Sequence, residues 1–521
     1  MHLLLLLPLP LPLPKAKPPW LPTTLVIALF LCFYDLGTTV VSASVVTHLP
    51  GFHGRLPFHL ETGYVSVDDV MGVELFYYLI ESERRPSEDP VLLWLTGGPG
   101  CSAFSGLAFE IGPLKFVRAK YNGSVPNLVY FPHSWTKIAN IIFLDSPVGT
   151  GFSFSASPEG YDVGDISSSM HVYHFIIKWF IDHPQFLSNP FYVAGDSYAG
   201  KVIPVITQII SQGIEYGKQP ILNLKVGLSV CTAPKLPEYI WAIFFLTVEK
   251  MYFLFGAMIR ACFQGYLVGN PVTGEKIDKN FRVPYAHGVG IISDQIYELA
   301  QKHCEGEDYE EPRSAPCAEV LDIVKKHASK VALASILEPV CPEDTPKPKD
   351  AAERRSLKAD YKHLLQPSET PPPFKCRSYV YWLSYYWANN NSTQEALHVK
   401  KGTVEEWQRC NRDISYTQDL PSSIKYHYNL TSRGYRALVY SGDHDLGVPF
   451  LGTEAWIRYL NFPIVDDWRS WNFGDQSAGF TITYSNNMTF ATVKGAGHTA
   501  PEYRPKECLA MVHRWLSHKP L

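Results

Sequence analysis

The feature that most constrains the fold of this chain is an abrupt turn directly after an apolar run. Residues 191–194, Phe-Tyr-Val-Ala, are typical of a buried strand, and residues 195–199 continue as Gly-Asp-Ser-Tyr-Ala. A strand that breaks into G-x-S-x-[GA] and then into a helix-compatible stretch predicts a nucleophile elbow, in which the Ser197 hydroxyl projects out of the sheet. Because a serine hydroxyl is a weak nucleophile alone, the chain must also supply a base and an acid that orients the base.

Candidates for both partners lie downstream, each after a strand-like run. Asp445 ends the sequence Ser-Gly-Asp-His-Asp, and His498 lies within Gly-Ala-Gly-His-Thr-Ala-Pro. The chain order serine, aspartate, histidine is that of α/β-hydrolases, and it differs from the orders in chymotrypsin-like and subtilisin-like proteins. We therefore predict that Ser197 is the nucleophile, that His498 is the base, and that Asp445 orients it. We prefer Asp445 to Asp443 because it lies further beyond the strand, where the loop can turn toward the base.

A glycine-rich loop completes the predicted site. Residues 91–95 form another strand-like run, and residues 96–102, Thr-Gly-Gly-Pro-Gly-Cys-Ser, follow it. An oxyanion hole in this fold takes one amide from such a loop and one from the residue after the nucleophile, which are Gly98 and Tyr198 here. An ordinary tight turn at Ser197 is the simpler interpretation of one motif alone. Several motifs in the expected order, each after a strand, argue against it.

Longer motifs around these residues resemble plant serine carboxypeptidase-like proteins. The matching segments are residues 94–107, 144–153, 191–198, 266–271, 441–445 and 495–501. The resemblance covers nearly all of residues 50–520. It implies an α/β-hydrolase fold over residues 44–521, with an inserted helical cap at residues 272–390. Strand-like runs that alternate with helical spacing independently favour a mostly parallel central sheet with helices on both faces.

The family that this chain resembles contains two chemistries on one triad. True carboxypeptidases hydrolyse the C-terminal peptide bond, whereas an acyltransferase clade moves an acyl group from a 1-O-β-glucose ester to an acceptor. Family carboxypeptidases hold the substrate carboxylate with an Asn two residues before the oxyanion-hole glycine and a Glu just before the serine. This chain has Thr96 and Asp196 at those positions, and it keeps Gly97 and Glu110. These four residues are the expected substrate-binding residues, and the resemblance favours the acyltransferase clade.

Three functions stay open at this point. An acyltransferase would bind a small-molecule acyl donor and acceptor, and a serine-type carboxypeptidase would bind a peptide C-terminus. The third possibility is an inactive binding protein or a misfolded gene-model product, and neutral substitution at Thr96 and Asp196 is a further alternative. We expect no cofactor and no metal, since the sequence has neither a metal-ligand constellation nor a phosphate loop. A net charge of −4 without a basic stripe argues against a nucleic-acid partner.

The N-terminus predicts entry into the secretory pathway. Residues 1–43 combine positive charge at Lys15 and Lys17, an apolar run at 25–33 and small residues at 41–43, as in a cleaved signal peptide. A signal anchor is the alternative interpretation. After cleavage we expect no stable membrane span. The destination is the vacuole, which the family resemblance implies, or the extracellular space.

Cysteines and glycosylation sequons agree with that route. The chain has 10 cysteines, which in a secretory protein predict disulfides, although the sequence alone does not fix their connectivity. The family resemblance implies the pairs Cys101–Cys410, Cys304–Cys317 and Cys341–Cys376. The predicted glycosylation sites are Asn122, Asn391, Asn429 and Asn487.

Residues 342–375 are predicted to be a flexible linker within the cap. This stretch is rich in proline and charge and poor in apolar residues, so it cannot bury enough surface to order itself. In some family members a linker at this place is cut out, which leaves two disulfide-joined chains. Arg354 and Arg355 mark a plausible cut region, and an uncut surface loop is the alternative.

Residues 226–264 are an anomalous insertion. Lys225 and Gly265 match neighbouring positions of one strand in the family, so nothing is expected between them. The apolar runs 239–246 and 251–259 are each shorter than the roughly 20 residues that a membrane-spanning helix needs. The segment begins with valine, whose codons start with GT, and ends with Cys-Phe-Gln, which a pyrimidine-rich stretch ending in CAG can encode. We interpret it as a translated intron, with a partner-binding amphipathic insertion as the alternative.

Overall fold

A computed structural model describes residues 43–212, 263–342 and 371–521. Residues 1–42 of the predicted signal peptide lie outside the described residues. So do residues 226–262 of the predicted insertion and 343–370 of the predicted linker. Within the described ranges, no helix combines the length and the apolar character that crossing a membrane requires.

Strands and helices alternate along the described chain. The strands are β1 (Ser44–Val46), β2 (Leu60–Asp68), β3 (Val73–Ile80), β4 (Val91–Leu95), β5 (Leu114–Phe116), β6 (Leu128–Tyr130), β7 (Asn140–Leu144), β8 (Phe154–Ser155), β9 (Val163–Gly164), β10 (Phe191–Asp196), β11 (Phe263–Gly269), β12 (Tyr416–Thr417), β13 (Arg436–Gly442), β14 (Ile464–Phe473), β15 (Gln476–Tyr484) and β16 (Met488–Val493). The helices are α1 (Asp165–Asp182), α2 (Ala199–Gln212), α3 (Ile277–Asn280), α4 (Arg282–Gly288), α5 (Asp294–His303), α6 (Ala315–Ala328), α7 (Ser378–Ala388), α8 (Asn391–Ala396), α9 (Ile424–Ser432), α10 (Phe450–Tyr459), α11 (Ala500–Tyr503) and α12 (Pro505–Leu516). Single helical turns lie at Gly106–Glu110, Trp135–Lys137, Pro158–Tyr161 and Pro184–Phe186.

The main sheet is mixed. Its strand order is β1-β2-β3-β7-β4-β10-β11-β13-β16-β15-β14, and β8 pairs with β3. Neighbouring strands from β7 to β16 run parallel, whereas antiparallel strands extend both edges. The mostly parallel sheet predicted from the sequence therefore describes only the centre. The difference arises from the hairpins β2–β3 and β14–β15, which add antiparallel strands outside the strand–helix alternation.

Helices cover both faces of the central sheet, as predicted. Successive strand residues point to opposite faces, so Tyr192 and Val193 of β10 enter two different cores. Val193 lies in the core that contains Phe175 of α1 and Ile203 of α2. Tyr192 packs on the other side against Trp515 of α12, with ring centroids 5.4 Å apart. Because both faces are covered, β4, β7 and β10 are buried along their whole length, which explains their continuous apolar runs.

The described residues between β11 and β13 are mainly helical, and the predicted cap at 272–390 falls in this part. They form α3 to α9 and the short strand β12. Helices α4, α5 and α6 enclose a third, smaller core that includes Tyr285, Ala300 and Leu321. The packing of α4 to α6 thus forms a core of its own, whereas Tyr379 and Trp382 of α7 belong to one of the cores beside the sheet.

Disulfides within the described residues join cysteines that are from 13 to 309 residues apart. The bonded pairs are Cys101–Cys410, Cys304–Cys317 and Cys341–Cys376, which are the pairs that the family resemblance implies. Cys508 is buried and carries no disulfide.

Strand β11 begins inside the predicted insertion, at Phe263. Phe191 pairs with Phe263, but the next residue, Tyr192, pairs with Gly265, so Gln264 forms a bulge between them. A side chain at Gly265 would lie 2.0 Å from the Arg436 carbonyl oxygen, which requires glycine there. The regular part of β11 therefore starts at Gly265, the first residue after the predicted insertion.

Candidate active site

The end of β10 forms the sharp turn that the motif predicts. Ser197 has a φ of 54°, in the left-handed region that few non-glycine residues adopt. Its amide donates to the Gly269 carbonyl at 2.9 Å, and its own carbonyl accepts from the Gly200 amide at 3.0 Å. A side chain at Gly195 would lie 2.1 Å from the Leu95 carbonyl oxygen. Glycine is thus required at position 195, two residues before Ser197, because β4 approaches so closely.

Ser197, His498 and Asp445 form a hydrogen-bonded chain. The Ser197 hydroxyl lies 2.8 Å from His498 Nε2, and His498 Nδ1 lies 2.7 Å from Asp445 Oδ2. The His498 side chain is 23% exposed, whereas that of Asp445 is fully buried. The imidazole is therefore accessible from outside, whereas the carboxyl group bonded to it is sealed from water.

Asp443 has different partners. Its carboxylate accepts from the Gly495 amide at 2.7 Å and contacts His444 Nδ1. The Tyr285 hydroxyl donates to the Asp443 carbonyl oxygen at 2.7 Å. Asp443 thus ties the loop that follows β13 to the loop that precedes His498, and it is Asp445 that contacts the imidazole.

The electrostatics around His498 favour proton uptake by its imidazole. Burial opposes a charge on the imidazole, but the neighbouring Asp445 carboxylate and its hydrogen bond outweigh that effect, so the pKa of His498 is raised above its ordinary value. When Nδ1 carries a proton and donates a hydrogen bond to Asp445, the unprotonated Nε2 can accept the proton of the Ser197 hydroxyl. This tautomer follows from the hydrogen-bond geometry.

Asn270 holds Asp445, and sequence analysis assigned it no role. Its side-chain amide donates to Asp445 Oδ2 at 2.9 Å, and its side-chain carbonyl accepts from the Gly442 amide at 3.1 Å. Asn270 has a φ of 40° directly after β11, a conformation that asparagine tolerates better than most residues. The sequence feature that marks this position is an asparagine before a proline at the end of a central strand. The other Asp445 oxygen accepts from the amides of Gly447 and Val448.

The loop after β4 lies directly beside Ser197. A side chain at Gly97 would be 2.6 Å from Ser197 Cβ and 2.7 Å from the Tyr198 amide nitrogen, so only glycine allows this approach. Gly98 has a φ of 127°. Neither the Gly98 amide nor the Tyr198 amide donates a hydrogen bond to any residue that the structure describes. These two amides are therefore available to an oxygen atom bound at Ser197.

Two buried carboxyl groups lie behind this loop. Asp196 Oδ1 accepts from the Gly97 amide at 3.3 Å, and burial raises the pKa of Asp196 to about 6. Glu110 is buried too, and its Oε2 has no hydrogen-bond partner among the described residues. Burial and then the charge of Asp196 raise the pKa of Glu110 well above its usual range. The pair therefore favours the protonated state at mildly acidic pH.

An elbow serine, a histidine and a buried aspartate at the ends of parallel strands define the α/β-hydrolase class. The chain belongs to the serine carboxypeptidase family. The sequence model of that family matches residues 50–231 and 257–518. Residues 232–256, which the family model leaves unmatched, lie inside the predicted insertion. The resemblance stated from the sequence is thus confirmed.

Individual relatives agree with the family model. Serine carboxypeptidase-like 7 of Arabidopsis thaliana is 42% identical over 504 residues, which cover 96% of this chain and 99% of the relative. Serine carboxypeptidase-like 10 of the same plant is 44% identical over 495 residues, which cover 95% and 98%. Kex1, a prohormone-processing carboxypeptidase from Saccharomyces cerevisiae, superimposes with a TM-score of 0.62 at 17% identity, covering 91% of this chain and 95% of that one. This last likeness confirms the predicted fold class.

Proposed function

We propose that this protein is an acyltransferase that moves an acyl group from a 1-O-β-glucose ester to an acceptor through an acyl-Ser197 intermediate. The observation that carries the proposal is the altered set of groups where family carboxypeptidases hold a peptide carboxylate. Thr96 offers a hydroxyl in place of an amide, and that hydroxyl oxygen accepts from Trp94 Nε1 at 3.2 Å. Asp196 is only 2% exposed, and one of its oxygens is occupied by the Gly97 amide.

The triad geometry supports a two-step transfer. His498 Nε2 takes the Ser197 proton while Oγ attacks the ester carbonyl carbon, and the resulting oxyanion is stabilised by the amides of Gly98 and Tyr198. Collapse breaks the bond to the glucose oxygen, which leaves with the proton from His498. In the second step His498 takes a proton from the acceptor hydroxyl, whose oxygen attacks the acyl-serine. Ser197 then recovers its proton, and the ester product leaves.

A serine carboxypeptidase is the second candidate, and Glu110 favours it. Its buried, unpartnered oxygen and raised pKa are compatible with a protonated acid that donates a hydrogen bond to a substrate carboxylate. The third candidate, a catalytically silent binding protein or a misfolded product, is distinguished by the absence of acyl-serine formation.

A substrate panel tests the proposal. The protein is incubated with glucose esters plus acceptor alcohols and, separately, with blocked dipeptides, and consumption of each is measured. We expect transfer from a glucose ester and little release of C-terminal residues. The double variant Thr96→Asn with Asp196→Glu, which rebuilds the carboxypeptidase set, should gain dipeptide hydrolysis. Efficient dipeptide hydrolysis by the unaltered protein, without transfer from any ester, would replace this proposal with the second candidate.

Binding of a substrate that carries a free carboxylate is expected to weaken as pH rises through about 6. Below that pH Asp196 is protonated and can donate a hydrogen bond, whereas above it the ionised carboxyl repels the substrate. The inhibition constant of a blocked dipeptide against ester turnover should then rise by up to about tenfold per pH unit, while KM for an uncharged glucose ester stays constant. The Asp196→Asn variant should lose the pH dependence. An inhibition constant that stays the same in the unaltered protein from about pH 5 to pH 8 contradicts the assignment.

Removal of residues 226–264 is expected to increase the yield of soluble, active protein. The insertion enters β11, which lies next to β10 and its elbow. After deletion, Leu224 takes the sequence position of Phe263, whose buried ring packs against Phe191 and Tyr435. An apolar side chain is thus retained at that end of the strand.

Side-by-side expression of both forms, with long-read sequencing of transcripts across this segment, measures the effect. Exposed apolar surface contributed by the inserted residues would favour aggregation of the full-length form. Transcripts that uniformly retain the segment, together with soluble and active full-length protein, would make the insertion a partner-binding element instead.

We also propose that the protein follows the secretory route to the vacuole or the extracellular space. The predicted glycosylation sites are all exposed, and they are Asn122, Asn391, Asn429 and Asn487. Disulfides are typical of oxidising compartments. A fluorescent fusion should therefore leave the cytosol, and endoglycosidase treatment should lower the mass of the purified protein. Cytosolic retention of the fusion would exclude this route.

A further inference from the structure

A segment of the cap crosses both loops that carry the acid and the base. Residues 331–341, which follow α6, are called the strap here. The Leu333 carbonyl accepts from the amides of Leu446 and Gly447 at 2.9 and 3.0 Å. The Ala334 carbonyl accepts from the amide of His498 itself at 2.7 Å. The strap therefore makes main-chain hydrogen bonds to the loop around Asp445 and to the base.

A fourth hydrogen bond and one glycine show how closely the strap packs against the loops that carry Asp445 and His498. The Ile336 amide donates to the His444 carbonyl at 3.0 Å, on the other side of Asp445. A side chain at Gly497 would lie 2.3 Å from the Ala334 carbonyl oxygen and 2.7 Å from Ser335 Cβ. The backbone of Gly497 is not left-handed, so the strap, rather than the conformation, excludes a side chain before the base.

An arginine at the start of α7 anchors the strap. Arg377 Nη2 and Nε donate to Glu338 of the strap at 2.6 and 3.1 Å. Its Nη1 donates at 2.9 Å to Glu502, and its guanidinium lies 4.1 Å from the ring centre of Tyr503. Glu502 also accepts from Thr499, the residue after His498, at 2.9 Å. One planar cation thus joins the strap to the helix beyond the base.

A disulfide holds the same end of the strap. Cys341, its last residue, is bonded to Cys376, which directly precedes Arg377. The ion pair and the disulfide therefore act on neighbouring residues, and both connect the strap to α7. The second cap disulfide, Cys304–Cys317, joins the end of α5 to α6 and includes no residue of the strap. It offers a matched control.

We propose that the strap is a positioning element that sets the distance between Asp445 and His498, and that Arg377 and the Cys341–Cys376 disulfide hold it in place. This inference rests on the proposed acyl-serine chemistry. Loss of either anchor lets the strap move away, and the amides of Leu446 and His498 then lose their acceptors. The acid and the base separate, although neither has been altered.

Four variants of the full-length chain test this inference. They are Arg377→Met, Arg377→Lys, Glu338→Gln, and the double variant Cys341→Ser with Cys376→Ser. The control is the double variant Cys304→Ser with Cys317→Ser. The measurements are kcat and KM with an ester substrate, the rate of Ser197 labelling by a fluorophosphonate, and the low-field proton resonance of the His498–Asp445 hydrogen bond. Thermal unfolding identifies variants that fail to fold.

We expect Arg377→Met and the Cys341/Cys376 variant to lower kcat and the labelling rate by about tenfold to a hundredfold, because misplacement by about 1 Å has effects of that size. KM should change little, and the low-field resonance should shift or broaden. Arg377→Lys keeps the charge but loses the bidentate contact. Its kcat and labelling rate should therefore lie between those of Arg377→Met and those of the unaltered protein. Glu338→Gln keeps the shape and serves as the milder variant if Arg377→Met does not fold. The control should retain its kcat and its resonance.

Folded anchor variants with unchanged kcat, labelling rate and resonance would overturn the positioning role, and so would an equal loss in the control. Failure of the proposed acyl-serine chemistry looks different. In that case the unaltered protein is not labelled at Ser197, while the resonance still responds to the anchors and supports the role of the strap.

Discussion

Replacing Ser197 by alanine is expected to lower ester turnover on the order of 10⁴-fold or more. The hydroxyl lies 2.8 Å from His498 Nε2, and nothing in the variant can form the covalent intermediate. Binding and the two free amides of the glycine loop would remain, so some activity above the uncatalysed rate should persist. Fluorophosphonate labelling should disappear altogether. Turnover and labelling are measured on the same preparations.

A matched control lies on the helix that follows the elbow. Ser211 is also buried, but it sits at the far end of α2 and bonds to Arg433. Ser211→Ala should retain turnover within a few-fold of the unaltered protein, as expected for a change away from the reacting atoms. Labelling that survives in Ser197→Ala would show that another residue is the nucleophile.

The second large effect is expected from Asp445→Asn, with a loss of about 10³- to 10⁴-fold in kcat. The carboxylate holds the imidazole proton on Nδ1, and an amide in its place can present an N–H to that nitrogen and favour the wrong tautomer. The variant also removes the charge that raises the pKa of His498. Binding of the ester should change less than kcat.

Asp443→Asn is the matched control for that prediction. Asp443 is two residues away and bonds to Gly495 and His444 rather than to the base. Its replacement should cost less than about tenfold, since only loop packing is affected. If Asp443→Asn abolishes turnover and Asp445→Asn does not, the assignment of the orienting acid is wrong.

Local sequence patterns predicted the parts of the site that depend on local geometry. The elbow at Ser197 follows from a strand that breaks into a G-x-S turn, and the glycines at 97 and 98 follow from the approach of a loop to the nucleophile. The central strands were predictable because their apolar runs are buried on both faces. Each of these signals is complete within about ten residues.

Contacts between segments far apart in the chain were not predictable in this way. Asn270 is 175 residues from Asp445 along the chain, and nothing in the motif around it shows that its amide meets that carboxylate. The strap has no repeated pattern at all, because it acts through main-chain carbonyls that any residue provides. The glycine at position 497 is visible in the sequence motif, but the structure is needed to show that the strap leaves no room for a side chain there. The antiparallel edges depend on pairing rather than on local sequence.

The most direct test of the account is to trap the intermediate itself. The protein is mixed with a glucose ester without acceptor, quenched within milliseconds to seconds, and analysed by intact-protein and peptide mass spectrometry. We expect a mass increase equal to the acyl group on the peptide that contains Ser197, and its discharge when an acceptor alcohol is added. Glucose release without any adduct at any quench time, or an adduct on a different residue, would contradict it.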